Sequence, residues 1–382
     1  MKTLYSMFMF LLLTGPDTTS WTPDSKEQIL FKNGINGYQC YRIPALIKVT
    51  NQCLMAFAEG RKRGCNDFGD VDLLMKISHD GGATWGPYKV LVDYDTLQAG
   101  NPAPMVDFLD SEYPLGRIFL FYNTGTTTEN EIRNGNGARG VHYITSTDQG
   151  QHWSIPQDIS KSVHFNQYSL SPEKDWRTHA NTPGHALQFD SGPFKNRIYV
   201  PANHSTGPPQ NQFNEYHAYG FYSDDHGKTW KVSEDVPIPS SNEAIGVLLN
   251  SGEVMLNIRQ QSGATKRRLV ARSTDGGVTW DEVYFDDSLI SPVCQSSLIL
   301  FKNSKDTLLI YSGPNSTDER IKMTLKASRN EGASWPFEKE IYAGISAYSD
   351  LVQLDDSTVG LFYEKDDRLL TFLKIPLNSL LQ

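Results

Sequence analysis

The sequence predicts an all-β protein, a six-bladed β-propeller of four-stranded antiparallel blades closed by the N-terminal strand. Three observations predict it. The frame Ser-x-Asp-x-Gly-x-x-Trp recurs at residues 78–85, 146–153, 223–230 and 273–280, and residues 328–335 repeat it with Asn330 in the Asp place. The copies start 68, 77, 50 and 55 residues apart, a period that suits one blade with loops of variable length. Six two-strand patterns are interleaved with these boxes.

In chain order, the first strand pair is 44–49 and 54–58, followed by a third strand at 71–77 and the first box. Residues 103–108 and 117–122 repeat the pattern, with 140–145 before the second box. Residues 185–189 and 197–201 flank a turn at 190–196, and 217–222 leads into the third box. The cleanest hairpin is 245–249 and 253–258 around Asn250-Ser251-Gly252, with 268–272 before the fourth box. Residues 297–301 and 307–311 follow, with 321–327 before the fifth. The sixth pair, 349–354 and 358–363, has a third strand at 368–375 and no box. Residues 27–32 can supply its missing strand, which would pair the free edges of a ring. No helix longer than a few residues is expected. Residues 125–136 and 203–214, rich in turn formers, read as surface loops.

The box itself reads as a turn. Ser and Asp side chains bond nearby backbone, Gly permits a left-handed angle, and Trp is large enough to plug a gap between layers. It is therefore expected to hold the fold and do no chemistry.

Bulk properties narrow the function. Hydrophobic residues make up 38% of the 382 and aromatics 11%, enough for a large core. A net charge of −9 argues against nucleic acid or an anionic membrane as partner. Lys2 followed by an apolar run from 4 to 13 reads as a cleaved secretory signal within 1–20, too short to span a bilayer. Residues 21–382 then form a single catalytic domain, expected to be secreted, monomeric and without a membrane span. Cys40, Cys53, Cys65 and Cys294 lack zinc spacing. Their pairing is open, and free buried thiols fit equally well.

The chemistry sits at the hairpin ends. The residue before a hairpin's first strand and the residue after its second share one end. That rule puts Arg42 beside Arg61, Glu243 beside Arg259, and Tyr348 beside Glu364, with Gln295 near the loop that carries Arg320. First strands line a propeller axis, so these ends meet in one cleft, with Asp67, Asp70 and Asp72 on its rim. Three converging guanidinium forks suit a carboxylate better than lysines would. A tyrosine with a reference pKa near ~10 needs a neighbouring base to attack, and Glu243 could be that base. If the reacting carbon bears its own carboxylate, a neutral Tyr–Glu pair avoids the repulsion an anionic nucleophile would meet. Asp67 is the candidate acid for the leaving oxygen.

These residues resemble a known family. Tyr41-Arg42-Ile43-Pro44, the boxes, Asn242-Glu243-Ala244, Cys294-Gln295-x-Ser297 and Ala347-Tyr348-Ser349-Asp350-Leu351 look like the exo-α-sialidases of bacterial and animal type. The resemblance covers nearly all of residues 27–376. It implies retaining hydrolysis of terminal sialic acids from glycoconjugates through a sialyl-tyrosine intermediate, with no cofactor or metal. By position it makes Arg42, Arg259 and Arg320 the carboxylate clamp, Tyr348 the nucleophile, Glu243 its base and Glu364 the residue that steadies Arg42. Asp67 matches the acid/base, with Asp70 and Asp72 close by, and Arg61 and Gln295 match substrate contacts. Transfer of sialic acid, its intramolecular release, and a non-catalytic sialic-acid-binding propeller are the alternatives. No added lectin module is expected.

Overall fold

The computed structural model describes residues 27–165 and 175–382; the expected signal at 1–20 lies outside them. The protein is all-β, with antiparallel sheets joined in one place by a parallel bridge, Val71 to Gln98. That bridge links two runs into an eight-stranded sheet. Cys40–Lys48, Leu54–Arg61, Val71–Ser78 and Lys89–Val92 form one run; Gln98–Asp107, Arg117–Gly125, Arg139–Ser146 and Gln157–Asp158 form the other. A four-stranded sheet holds Ser241–Leu248, Val254–Gln260, Arg267–Ser273 and Glu282–Ile290. In a seven-stranded sheet the strand Phe337–Asp355 serves two neighbours. Its first half pairs with Ile321–Ser328 and its second with Thr358–Lys365. As expected, the N-terminal strand Gln28–Lys32 pairs with Leu369–Pro376 at the other end of the chain.

The remaining sheet departs from the sequence reading. Residues 185–189 are a strand only at Leu187–Gln188, and the longer partner of Ile198–Thr206 is Trp176–Asn181. The break falls at Thr182-Pro183-Gly184, where proline withholds an N–H and Gly184 has φ +116°. Trp176 falls in none of the strands expected from the sequence. It is instead 5% exposed and stacked on His204 with ring centroids 3.4 Å apart. Residues 125–136 contain a short helix, Glu129–Arg133, capped by Thr128. Strand Ile198–Thr206 runs well into the expected loop at 203–214.

The second strand Leu54–Arg61 is buried along its whole length, as runs between two covered faces are. The boxes fill the seams between units. In each, the Ser hydroxyl accepts from the Gly N–H, and the Asp, or Asn330 in the fifth, accepts from backbone N–H groups three or four residues on. The Gly has φ near +80° in all five, from +80° to +88°. A Cβ there would strike the preceding unit: Met55 at 2.7 Å from Gly150, Phe119 at 2.9 Å from Gly227, Tyr199 at 2.6 Å from Gly277. The box tryptophans pack across the same seams, Trp85 on Phe372 and Trp230 on Phe121.

At the opposite end of the strands, four registers slip in the same place: between Arg42 and Ala45, Gly100 and Ala103, Ser241 and Ala244, and Ser346 and Ser349. Ile43 and Asn101 take φ 59° and 52°. Such bulges bend a strand and re-aim its side chains.

Candidate active site

The bulges turn the first-strand residues towards one another. Arg42 faces Glu364 across a fork of two bonds, both 3.1 Å. The same carboxylate accepts the Ile43 N–H at 3.0 Å and the Tyr348 N–H at 3.4 Å. Glu364 therefore binds the first arginine and the two backbone bends beside it. Tyr348, 6% exposed, lies at the centre. Its hydroxyl donates to Glu243 Oε1 at 2.5 Å and accepts from Arg259 Nη1 at 3.1 Å. Arg259 Nη1 also donates to Glu243 Oε2 at 2.7 Å. Arg42 and Arg320 lie over the Tyr348 ring, 5.0 and 5.7 Å from its centroid. Arg320 is fixed by Val293 O at 3.0 Å. All three arginines and the Tyr–Glu pair predicted to share a cleft are thus brought together.

Burial and the Glu243 charge push the Tyr348 phenol well up, further than the three arginines draw it down. It stays neutral, with its proton already directed at a carboxylate. The guanidinium groups, by contrast, keep their charge. Desolvation opposes it, but the Glu364 carboxylate holds Arg42 up, and the Glu243 carboxylate holds Arg259 up. A compact cationic field surrounding a neutral phenol suits an anionic ligand.

The rim is equally specific. Asp67 is 77% exposed, and its Oδ1 meets Arg61 Nη1 at 2.9 Å and Arg42 Nη1 at 3.6 Å. Desolvation raises its carboxyl, but Arg61 and then Arg42 outweigh that and hold it below the usual carboxylate range. Asp70 and Asp72 turn away from the cleft to Lys62, at 3.0 and 3.1 Å, and Asp72 also accepts from Tyr38 at 2.6 Å. Of the three acids, Asp67 is the one that faces the arginines.

Two placements differ from a ligand contact. Gln295 is 2% exposed, and its amide nitrogen donates to Pro183 O and Ser349 O while its oxygen accepts from Ser349 N. Both donors are spent on backbone, so it braces the residue after Tyr348 instead of reaching into the cleft. Arg61 is buried, with its fork on Glu59 Oε2 at 3.0 and 2.7 Å and one nitrogen left for Asp67.

Sequence reasoning missed Glu59 and Asp350 and left the cysteine pairing open. Glu59 lies two residues before Arg61 on one strand, hence on the same face; the expected strand stopped at 58. Asp350 is fully buried and gathers Leu46 N–H, Ser297 Oγ and His185 Nδ1 at 2.7 to 2.8 Å, from three other parts of the chain. Its place two residues after Tyr348 was the available signal. Cys40 and Cys65 are bonded, while Cys53 and Cys294 are free and buried.

A cavity of about 250 Å³ opens beside Arg42, Arg320 and Glu364. A larger one, about 490 Å³, lies around the other ends of these strands, is mostly apolar and includes none of the arginines. The larger volume has Lys48, Lys302 and Asp190 on its lining but no part of the arginine cluster, which the smaller adjoins. Among the described residues, Asp107, Asp110 and His226 have cation-ligand spacing. Asp107 already accepts from His226 Nδ1 at 2.7 Å and from two backbone N–H groups, so the trio satisfies itself.

The BNR repeat-like domain family matches residues 52–361. The chain belongs to that family, within the exo-α-sialidases. It is 31% identical to a sialidase of Micromonospora viridifaciens over 88% of its own length and 52% of that protein. Sialidase-2 of Cricetulus griseus is 27% identical, with 88% and 90% covered. The chain thus spans about half of the bacterial relative and nine tenths of the animal one. Among solved structures, the Hadza microbial sialidase Hz136 superposes with a TM-score of 0.79 at 26% identity, covering 93% of this sialidase-family chain and 69% of that one. An intramolecular trans-sialidase from Ruminococcus gnavus gives 0.75 at 18% identity, with 93% and 98% covered, a likeness of fold alone.

Proposed function

We propose that the protein is a secreted, monomeric exo-α-sialidase that hydrolyses terminal α-linked sialic acids of glycoproteins, glycolipids and oligosaccharides with retention. Its sheets are read as six blades around one axis, closed by the pairing of Gln28–Lys32 with Leu369–Pro376. The observation that carries the activity is the Tyr348 hydroxyl, 2.5 Å from Glu243 and ringed by three arginines.

Arg42, Arg259 and Arg320 take the sugar carboxylate, and Glu364 holds Arg42 in its rotamer. Tyr348 Oη attacks the anomeric carbon as its proton passes to Glu243. Asp67 protonates the departing glycosidic oxygen, which leaves as an alcohol. Water then attacks the sialyl-tyrosine with Asp67, now a carboxylate, accepting its proton, and Glu243 returns a proton to the phenolate. Arg61 orients Asp67, and Gln295 fixes Ser349 behind the nucleophile. Asp67 starts ionised beside two guanidiniums. A bound substrate carboxylate that engages Arg42 weakens that field, which supports protonation when a ligand is present.

The test is NMR of products from defined sialyllactoses, together with mass spectrometry of acid-quenched enzyme. Free sialic acid appearing first as the α-anomer, and a sialyl adduct on the Tyr348 peptide, are expected. A β-anomeric first product, a 2,7-anhydro product, or no turnover across mildly acidic pH overturns the reading.

A further inference from the structure

We infer that the Cys40–Cys65 cystine positions Asp67 for proton transfer, and that acid catalysis depends on it more than the fold does. The inference rests on the reading of Asp67 as the proton donor.

The cross-link has matching offsets at its two ends. Cys40 lies two residues before Arg42 on the first strand, and Cys65 two residues before Asp67 in the rim loop. Joining the cysteines, with Cα atoms 5.2 Å apart, therefore sets the loop over the first arginine, where Asp67 Oδ1 is 3.6 Å from Arg42 Nη1. Arg61, the cross-strand partner of Cys40, completes the clasp by donating to both Cys65 O and Asp67 Oδ1.

Little else holds Asp67 there. The loop stem closes at Lys62 N to Asp70 O, 3.0 Å, and Lys62 Nζ binds Asp70 and Asp72 below it. Beyond the stem, none of residues 63–69 is buried. A loop whose one large apolar side chain, Phe68, is only half-buried is weakly anchored, and proton transfer demands heavy-atom placement within hydrogen-bond reach. The strands that carry the arginines have their own ladders and cores and do not need the bond. The bond is also accessible. Cys65 is exposed and both half-cystines line the 250 Å³ cavity beside the site, whereas the two free thiols are buried.

The test compares leaving groups. A sugar alcohol departs only with a proton from the enzyme, but 4-nitrophenolate departs unaided. Wild type, Asp67→Asn and the Cys40→Ser/Cys65→Ser double variant are assayed on 3′-sialyllactose and on 4-nitrophenyl α-sialoside, below each variant's melting temperature. The double variant should lose about tenfold to hundredfold in kcat/KM on sialyllactose and less than about threefold on the aryl substrate. Asp67→Asn should show the same selectivity with a larger loss. Dithiothreitol, giving two electrons and two protons to the S–S bond and closing to its own cyclic disulfide, should make wild type behave as the double variant and leave that variant unchanged. Equal losses on both substrates, or undiminished sialyllactose turnover, with Asp67→Asn still selective, overturns the cystine's role alone. Loss of selectivity in Asp67→Asn overturns the acid assignment and the inference with it.

Discussion

The box turns and the arginine ring both rest on acidic side chains, yet they use them in opposite ways. Asp275 takes Ser273 Oγ, the N–H groups of Val278 and Thr279, and Thr279 Oγ, all inside one box and all at 2.7 to 3.0 Å. Glu364 takes Arg42, 322 residues away, and Glu243 takes Tyr348, 105 residues away. The first carboxylate closes a turn whose partners are its neighbours in sequence. The second joins parts of the chain that meet only after the whole fold has formed. A box is replaceable geometry repeated five times, whereas the ring exists once and has no backup.

Breaking the ring should therefore produce the largest effect. Glu364→Gln leaves Arg42 without its charged fork and weakens the bonds to Ile43 and Tyr348 N–H. We expect at least about a hundredfold loss in kcat/KM and about 2 kcal/mol of stability, since Arg42 is only 22% exposed and removing one partner of a mostly buried pair strands the other. Turnover of a fluorogenic α-sialoside and urea titration measure both. Near-normal turnover would show that Arg42 holds its rotamer without help.

Arg320→Lys sharpens the same point. Arg320 makes one neutral bond, to Val293 O, and no ion pair of its own among the described residues. Its fork is therefore free for a ligand carboxylate. Lysine keeps the charge and loses the planar pair of donors. A rise in KM of about tenfold to hundredfold with an unchanged melting temperature is the expected result, from the worth of one charge-assisted bond. An equal fall in kcat at constant KM would instead place Arg320 in the transition state alone.

Breaking a box should do the reverse. Asp275→Ala removes four acceptor contacts at a seam between units, for a loss of about 1–2 kcal/mol and little change in kcat. The acidic boxes also predict a pH dependence. Partial burial pushes Asp225 and Asp275 upward, but bonds from Thr229 and Thr279 outweigh it and hold both below the ordinary carboxylate value. With folded pKa values beneath the unfolded one near ~3.9, their stabilisation is complete above that pH and is lost as pH falls through the depressed values. The gap in urea midpoint between wild type and Asp275→Ala should be constant near pH 7 and begin to narrow as pH falls below about 4. A constant gap would mean that the carboxylate's charge is not what the turn uses.

The same contrast explains what the sequence disclosed. The boxes were legible because every partner of Asp275 lies within the motif. The ring was half legible: the hairpin rule paired Glu243 with Arg259 and Tyr348 with Glu364, since turn and strand lengths fix which ends meet. Asp350 was not, because its partners Leu46, His185 and Ser297 come from three distant segments. Gln295 looked like a ligand contact because its position is legible and its saturation by Pro183 and Ser349 is not. Trp176 was misplaced for a related reason. A strand interrupted at Pro183-Gly184 has no continuous period to read, and the packing of Trp176 on His204 is tertiary. The bulge at Arg42–Ala45 had one local sign, Pro44, which cannot donate to a ladder, whereas nothing in Ser241–Ala244 announced the other.

The smallest expected effect lies in the one box that departs from its frame. Asn330 Oδ1 accepts from Ser334 N at 2.9 Å, as Asp275 does from Thr279 N, but its amide nitrogen then donates to Ser334 Oγ at 2.9 Å. In three of the four Asp boxes a threonine hydroxyl at this position donates instead, as Thr279 Oγ does to Asp275 Oδ2 at 2.7 Å. A hydroxyl rotor can turn either way, so Asn330→Asp only reverses one bond. We expect a stability change within about 0.5 kcal/mol at pH 7 and unchanged kcat/KM. The new carboxylate should take on the acid sensitivity of its neighbours, and urea midpoints at pH 7 and pH 3 would detect it. A large loss at pH 7 would mean that this seam has been fitted to the amide, and that the five boxes are not equivalent supports for the ring they surround.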